Sequence, residues 1–271
     1  MMTTVMVGRV GNALRAIALA LLAVRVMLAA SYIRIAALQV IAPVHDHFFP
    51  APLRHPALVL VAFFGPMLTE VLVLHRPTAG QMRRAAGMEV AGAAVLLLHQ
   101  ASYFYATWVI VFWAGLFMAW MAWSGSADEE RAATIGPFLA QLIISFFFLG
   151  GAAGKWTAGY WSGEVFYDLF FARRSDLVYA QLRAWFSDAS VHLIATWFSR
   201  SVVVVETSLA LVWLLPARLA ASVSIAAALG LWFTSGDLFE VCWPIIGLAL
   251  AGRLLAPRRA ARSGDEERRS V

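Results

Sequence analysis

Apolar runs of about twenty residues recur along this chain from one end to the other, and nothing else restricts its fold so severely. A helix needs roughly 20 mostly apolar residues to cross about 30 Å of hydrocarbon, and a bilayer interior admits only structures whose backbone groups are satisfied internally. Eight such runs stand between charges, prolines or glycines: Leu14 to Ile41, Ala57 to Leu74, Ala86 to Tyr103, Tyr105 to Trp123, Ile135 to Ala153, Ser201 to Leu215, Leu219 to Thr234 and Leu238 to Leu255. Only "SYFY" separates the third from the fourth. Hydrophobic residues make up 61% of the 271 and charged ones 14%, against roughly 45–50% apolar in a soluble domain, so a soluble enzyme is excluded. The expected fold is an all-α integral membrane protein of about eight transmembrane helices, with a long amphipathic outer-face loop between the fifth and sixth. Residues 1–255 form one membrane domain and 256–271 a charged tail.

The first run is long and carries Arg25 and Arg34, which argues against a cleaved signal peptide and for a helix kept in the mature protein. Basic residues near helix ends stay on the cytoplasmic side. Placing the N-terminus inside puts most of the arginines there, including the run in "PRRAARSGDEERRSV", and leaves Arg54, Lys155, Arg173, Arg174, Arg183 and Arg200 on the other face. Both termini are therefore expected in the cytoplasm of a bacterium, with the chain in its inner membrane. The net charge of +5 is a matter of topology, and no nucleic-acid partner is expected. Cys242 is the single cysteine, so no intramolecular disulfide is available.

The connection from Gly154 to Arg200 is the longest, and loops of that length are seldom structureless. Within it, "GEVFYDLFF" and "LVYAQLRAWFSDASVHLIATWFSR" place aromatic residues at helical spacing among polar ones, the pattern of helices lying in a membrane interface. Just ahead of them "GGAAGKWTAGYW" carries the only lysine, Lys155, between glycine-rich turns and beside Trp156, Tyr160 and Trp161. Two readings of Lys155 stay open. Apolar walls can lower a lysine's proton affinity until it serves as a base, or the side chain can snorkel and leave its ammonium among headgroups.

The segment "GAAGKWTAGYWSGEVFYDL" resembles the lysine segment of the vitamin K-dependent gamma-glutamyl carboxylase, and the wider group of horizontally transferred transmembrane (HTTM) domains. The likeness extends to "SYFYATWVIVFWAGLFMAWMAWS", "VVVVETSLALVWLLPARLAA" and "WFTSGDLFEVCWPIIGLAL", and covers roughly residues 95 to 250. It implies a membrane core in which Lys155 acts as a base on a reduced quinone or other lipidic substrate. Oxygen then turns the quinol into a stronger base for carboxylation of a glutamate. The binding residues implied are Trp156, Tyr160, Trp161, Tyr103, His99, Glu206 and Asp237. The sequence departs from the family at Ala101 and Trp232, where histidines are the family pattern, and lacks a large luminal domain after Leu255. The resemblance therefore carries two functions: a quinol-dependent enzyme, or a non-catalytic membrane partner that holds a peptide or another membrane subunit during maturation or assembly.

Polar groups inside the apolar runs need partners, because a charge at the bilayer centre costs about 3 kcal/mol even on insertion scales. Arg25, Glu70, Glu89, His99 and Glu206 are such groups. The pairings expected are Arg25 with Glu206, or Glu70 with Glu89, locking the bundle, or else a polar cavity reaching Lys155. Asp237 and Glu240 share a helix face, with Asp237 best placed as a cap. "HDHFF" from His45 is the nearest approach to a metal motif and falls short of a closed zinc site, so no metal is assigned.

Overall fold

A computed structural model describes residues 8–42, 50–75, 78–99, 105–172, 177–234 and 238–257. These residues are helical throughout apart from turns. In chain order they form α1 (Arg9–Ile41), a 3-10 turn (Ala51–Arg54), α2 (Pro56–His75), α3 (Ala79–Leu98), α4 (Tyr105–Ala127) and α5 (Glu129–Ala153). An insertion follows: α6 (Ala158–Ser162), α7 (Glu164–Phe166), a π-helical turn (Tyr167–Ala172) and α8 (Leu177–Trp185). Then come α9 (Asp188–Leu209), a 3-10 turn (Val212–Leu214), α10 (Ala217–Thr234) and α11 (Phe239–Leu255).

Four of these helices are long and apolar enough to cross a membrane: α1, α2, the Tyr105–Gly125 part of α4, and α5. A shorter apolar stretch, Ala217–Trp232, lies in α10. The chain is a multi-span helical membrane protein. Helix starts are set by local chemistry. Thr78 accepts from the Gln81 amide while Gln81 reaches back to the Thr78 backbone, a capping box that opens α3, and Asp128 accepts from Arg131 N at 2.9 Å to open α5.

The main core runs along α1, which packs on both α2 and α11, while α3 lies between α2 and α4, and α5 beside α4 and α11. Small residues set the close crossings, as in other membrane bundles. A Cβ at Gly247 of α11 would meet Ala20 of α1 at 2.6 Å. The insertion carries a small core of its own, built from Phe166, Phe171, Tyr179, Val191 and Ala195.

The sixth apolar run, Ser201 to Leu215, is not one straight helix. α9 ends at Leu209 and a 3-10 turn follows; Pro216, which has no N–H to continue a ladder, then holds Leu215 in an extended conformation (ψ 152°). In the other direction α9 begins thirteen residues before the apolar run does, at Asp188, because Ser187 caps it by accepting from Ser190 N. One helix thus joins the insertion to the bundle. "HDHFF", residues 45–49, and the tail beyond residue 257 lie outside the described residues.

Gly92 marks the tightest approach of α3 to α2: a Cβ there would sit 2.6 Å from the Ala62 carbonyl oxygen and 3.0 Å from Pro66 Cγ. Gly92→Val is expected to force the two helices apart and destabilise the protein by about 1–3 kcal/mol. Cys242 is buried and is the only thiol, so the temperature at which it becomes reactive toward a thiol probe in detergent reads this directly.

Candidate functional site

The residues after α5 form a site where two helices end. Gly154 closes α5, and both Lys155 N and Trp156 N fold back onto the Ala152 carbonyl, at 2.9 and 3.2 Å. That reversal aims the Lys155 side chain at the last turn of α9. Its Nζ donates to both carboxylate oxygens of Glu206, at 2.7 Å to Oε1 and 2.6 Å to Oε2. Helix C-termini carry partial negative charge, so a cation placed just beyond α5 and against the end of α9 is doubly favoured. The side chains are 24% and 10% exposed, which leaves the amine within reach from outside. A third donor position on Nζ remains for a ligand.

The aromatic residues wall this pair. Trp156 and Trp161 stack with ring centroids 5.4 Å apart and nearly parallel planes, and Trp156 Nε1 donates to Thr207 Oγ1, one residue beyond Glu206, at 3.0 Å. Both indoles remain exposed. A row of side chains on α9 grips the loop: Ser199 Oγ donates to the Tyr160 carbonyl at 2.5 Å, Thr196 Oγ1 to the Ser162 carbonyl at 2.8 Å, and Arg200 Nε to the Trp161 carbonyl at 3.0 Å. The Arg200 guanidinium also lies 5.5 Å from the Trp161 ring centre and 5.8 Å from that of Trp197.

Two glycines make the geometry feasible. Gly163 has φ +87°, in the left-handed region, and a Cβ there would lie 2.5 Å from Thr196 Cα, so no other residue fits the turn. A Cβ at Gly151 would stand 3.1 Å from Glu206 Oε2 and 3.7 Å from Lys155 Nζ, close enough to crowd the ion pair.

Of the site residues expected from sequence, Lys155, Trp156, Tyr160, Trp161 and Glu206 are brought together here. His99 is drawn elsewhere: it caps α3, buried, with Nε2 3.3 Å from the His55 carbonyl. Tyr103 and Asp237 lie outside the described residues. Glu206 pairs with Lys155 and not with Arg25. Arg25 is bound by Glu89 instead, Nε to Oε1 at 3.1 Å and Nη2 to Oε2 at 2.5 Å, with Glu70 3.6 Å from its Nε. The expected Glu70–Glu89 pairing is therefore a triad centred on arginine. Sequence reasoning missed Thr196, Ser199, Arg200 and Thr207. Their i, i+3, i+4 spacing, with Glu206 on the same face, was the signal available. Among the described residues no group of three or more His, Cys, Asp or Glu is placed to hold a metal ion.

Compared with family models, with curated proteins and with solved structures, the chain finds no match.

The Lys155–Glu206 contact is short and only partly screened, so a double-mutant cycle with Lys155→Ala and Glu206→Ala should give a coupling of about 1–2 kcal/mol, below the value for a buried charged pair. Thermal midpoints of the four proteins measure it. Burial first, and then the Glu206 charge, push the Tyr160 phenol above its ordinary value of 10.0. The unfolded chain releases that proton first, so this group destabilises the fold as pH rises past the free-tyrosine value. Glu206→Gln should bring the Tyr160 ionisation down, read as the ultraviolet phenolate signal that Tyr160→Phe removes.

Proposed function

We propose that this chain is a membrane enzyme built on a carboxylase-like, HTTM-type core, in which the Lys155–Glu206 pair takes the hydroxyl proton of a quinol or other lipidic substrate. The observation that carries the reading is the pair itself: the only lysine of the chain, partly exposed where two helices end, hydrogen-bonded through Nζ to both oxygens of a carboxylate beside two stacked indoles.

An amine acts as a base only with its lone pair free. Burial was the route to that state suggested by sequence, but the partly exposed Lys155 makes a different one available. Passing one proton along the hydrogen bond to Glu206 leaves a neutral amine and a neutral acid, with no net charge created in a poorly solvated place. The amine then accepts the substrate proton, and Glu206 releases its own to water at the exposed side of the pair as the product leaves, which restores the ammonium–carboxylate pair. The residues fit a flat ring. Trp156 and Trp161 offer exposed aromatic side chains, and Tyr160 keeps a protonated phenol close to Glu206. Carboxylation of glutamate, oxygen and the quinol enter this reading only through the resemblance over roughly residues 95 to 250. The same reading sets the chain in a bacterial inner membrane with eight spans and both termini in the cytoplasm, so that Lys155 faces the periplasmic leaflet where lipidic substrates arrive.

One observation favours a second reading, a non-catalytic partner for a peptide or membrane subunit. The insertion exposes Trp185, Phe186, Leu193 and Trp197, a hydrophobic surface that another chain or the lipid headgroup layer can cover.

Purified wild type, Lys155→Arg and Glu206→Gln, each supplied with reduced quinone and oxygen and followed by mass spectrometry of the quinone, separate the two. The enzymatic reading expects turnover in the wild type and a loss of about a hundredfold or more in both variants, since each removes the proton exchange while Lys155→Arg keeps a cation in place. Absent turnover, with the same proteins co-purifying with all three forms, leaves the partner reading.

A further inference from the structure

We infer that Glu70 and Glu89, held on Arg25, form a proton-binding site in the interior of the helix bundle, separate from Lys155 and independent of what Lys155 does. The count of charges comes first. Arg25, Glu70 and Glu89 are all fully buried, on α1, α2 and α3, so one cation faces two carboxyl groups out of reach of water. Glu89 takes the arginine in a bidentate pair, and these two charges cancel. Arg25 spends its Nη1 on backbone, donating to the Phe63 carbonyl at 2.6 Å and the Ala62 carbonyl at 3.4 Å.

Glu70 is left over. Its Oε1 lies 3.6 Å from Arg25 Nε, beyond a hydrogen bond, and neither of its oxygens has a hydrogen-bond partner. Two carboxylates offer each other only acceptors. A single proton changes this: the two carboxyl groups lie 3.6 and 3.1 Å from the same Arg25 Nε, so as an acid Glu70 is placed to donate to the neighbouring Glu89 carboxylate, and the triad becomes neutral. A second buried negative charge without a proton would have no counter-ion.

The titratable neighbours are few. The helices packed on α2 are α1 and α3, which present Arg25 and Glu89 to Glu70, while Tyr32 of α1 faces Arg25. On α2 itself His75 is five residues on, and Arg54 of the preceding 3-10 turn is sixteen residues back, about 24 Å along a helix. The ligand is a proton and not a metal cation. A sodium or magnesium ion wants about six oxygens, and the guanidinium already occupies the centre of this cluster.

Infrared spectra of the full-length protein in detergent at neutral pH test the assignment. A carbonyl band of a protonated carboxylic acid, shifting in deuterium oxide, is expected in the wild type and absent in Glu70→Gln. Because glutamine supplies the same donor to Glu89, Glu70→Gln should keep the wild-type temperature of Cys242 exposure, whereas Glu89→Gln, which strands Arg25, should lower it by many degrees. An unchanged acid band in Glu70→Gln, or equal destabilisation by both substitutions, overturns the proposal. A measurement on the wild type alone removes dependence on folding of the variants. A hydrophobic carbodiimide, which reacts with protonated carboxyls in apolar surroundings, should label Glu70, with labelling declining as pH rises and indifferent to sodium. Absence of an adduct on Glu70, or its suppression by sodium at constant pH, overturns a proton site.

Discussion

A guanidinium inside a membrane-spanning bundle has five N–H donors and no water to satisfy them, and the α1–α2–α3 half of this protein is arranged around that demand. Pro66 supplies part of the answer. Lacking an N–H, it leaves the carbonyl four residues earlier, that of Ala62, without its helical partner, and Arg25 Nη1 reaches both this oxygen and that of Phe63. Gly92 then lets α3 close against the broken turn and bring Glu89 to the other edge of the guanidinium. Phe63 and Trp108 present their rings at 5.7 and 5.3 Å, and Trp108 donates to the Tyr32 hydroxyl. A proline in a helix, a glycine at a crossing and a buried tryptophan are thus consequences of one cation.

The other half is organised by where helices end instead of by what they bury. α5 stops at the glycines before Lys155, α9 stops ahead of Pro216, and the two stops meet. Irregular backbone at membrane depth is tolerated only where protein covers it or a cavity borders it. Here Ser145 Oγ, on α5, accepts from Trp213 N at 3.2 Å and so serves the turn after α9 directly. The insertion holds its own aromatic core, including Tyr167 stacked on His192 at 3.7 Å, so that α9 carries a preformed unit onto the end of the bundle. Lys155 is positioned from both sides.

Much of this was legible in the chain. Apolar runs located the helices to within a few residues for α2, α4, α10 and α11, because the length of an apolar run is a local property that needs no tertiary information. The amphipathic connection was likewise readable as helical. The pairings were not. Arg25 could have met Glu206 or Glu89 as far as depth along a span is concerned, and what chose Glu89 was the side of α1 that α3 approaches, which depends on Gly92 fitting against Ala62. The sixth run failed for a local reason: hydropathy read through Leu209 to Leu215 without registering the change from α-helix to a 3-10 turn ahead of Pro216. Within the site, the lysine and its aromatic neighbours were found together because they are consecutive. Its grip from Thr196, Ser199 and Arg200 was not, since contact across thirty-four to forty residues leaves only a helical spacing to notice.

The two ionic centres differ in the property that separates structure from chemistry. At Arg25 all three nitrogens donate to carboxylate or backbone, no surface is open, and a substitution there alters the bundle before anything else. At Lys155 the charges match one to one, the two bonds to Glu206 leave one donor position, and the side chain meets the exterior beside exposed indoles. A ligand that accepts a hydrogen bond and carries a flat ring finds both in one place, without any need for the helices to part. Binding energy at such a point goes to the ligand and not to the fold, so the protein can retain its structure while this corner changes partner or substrate.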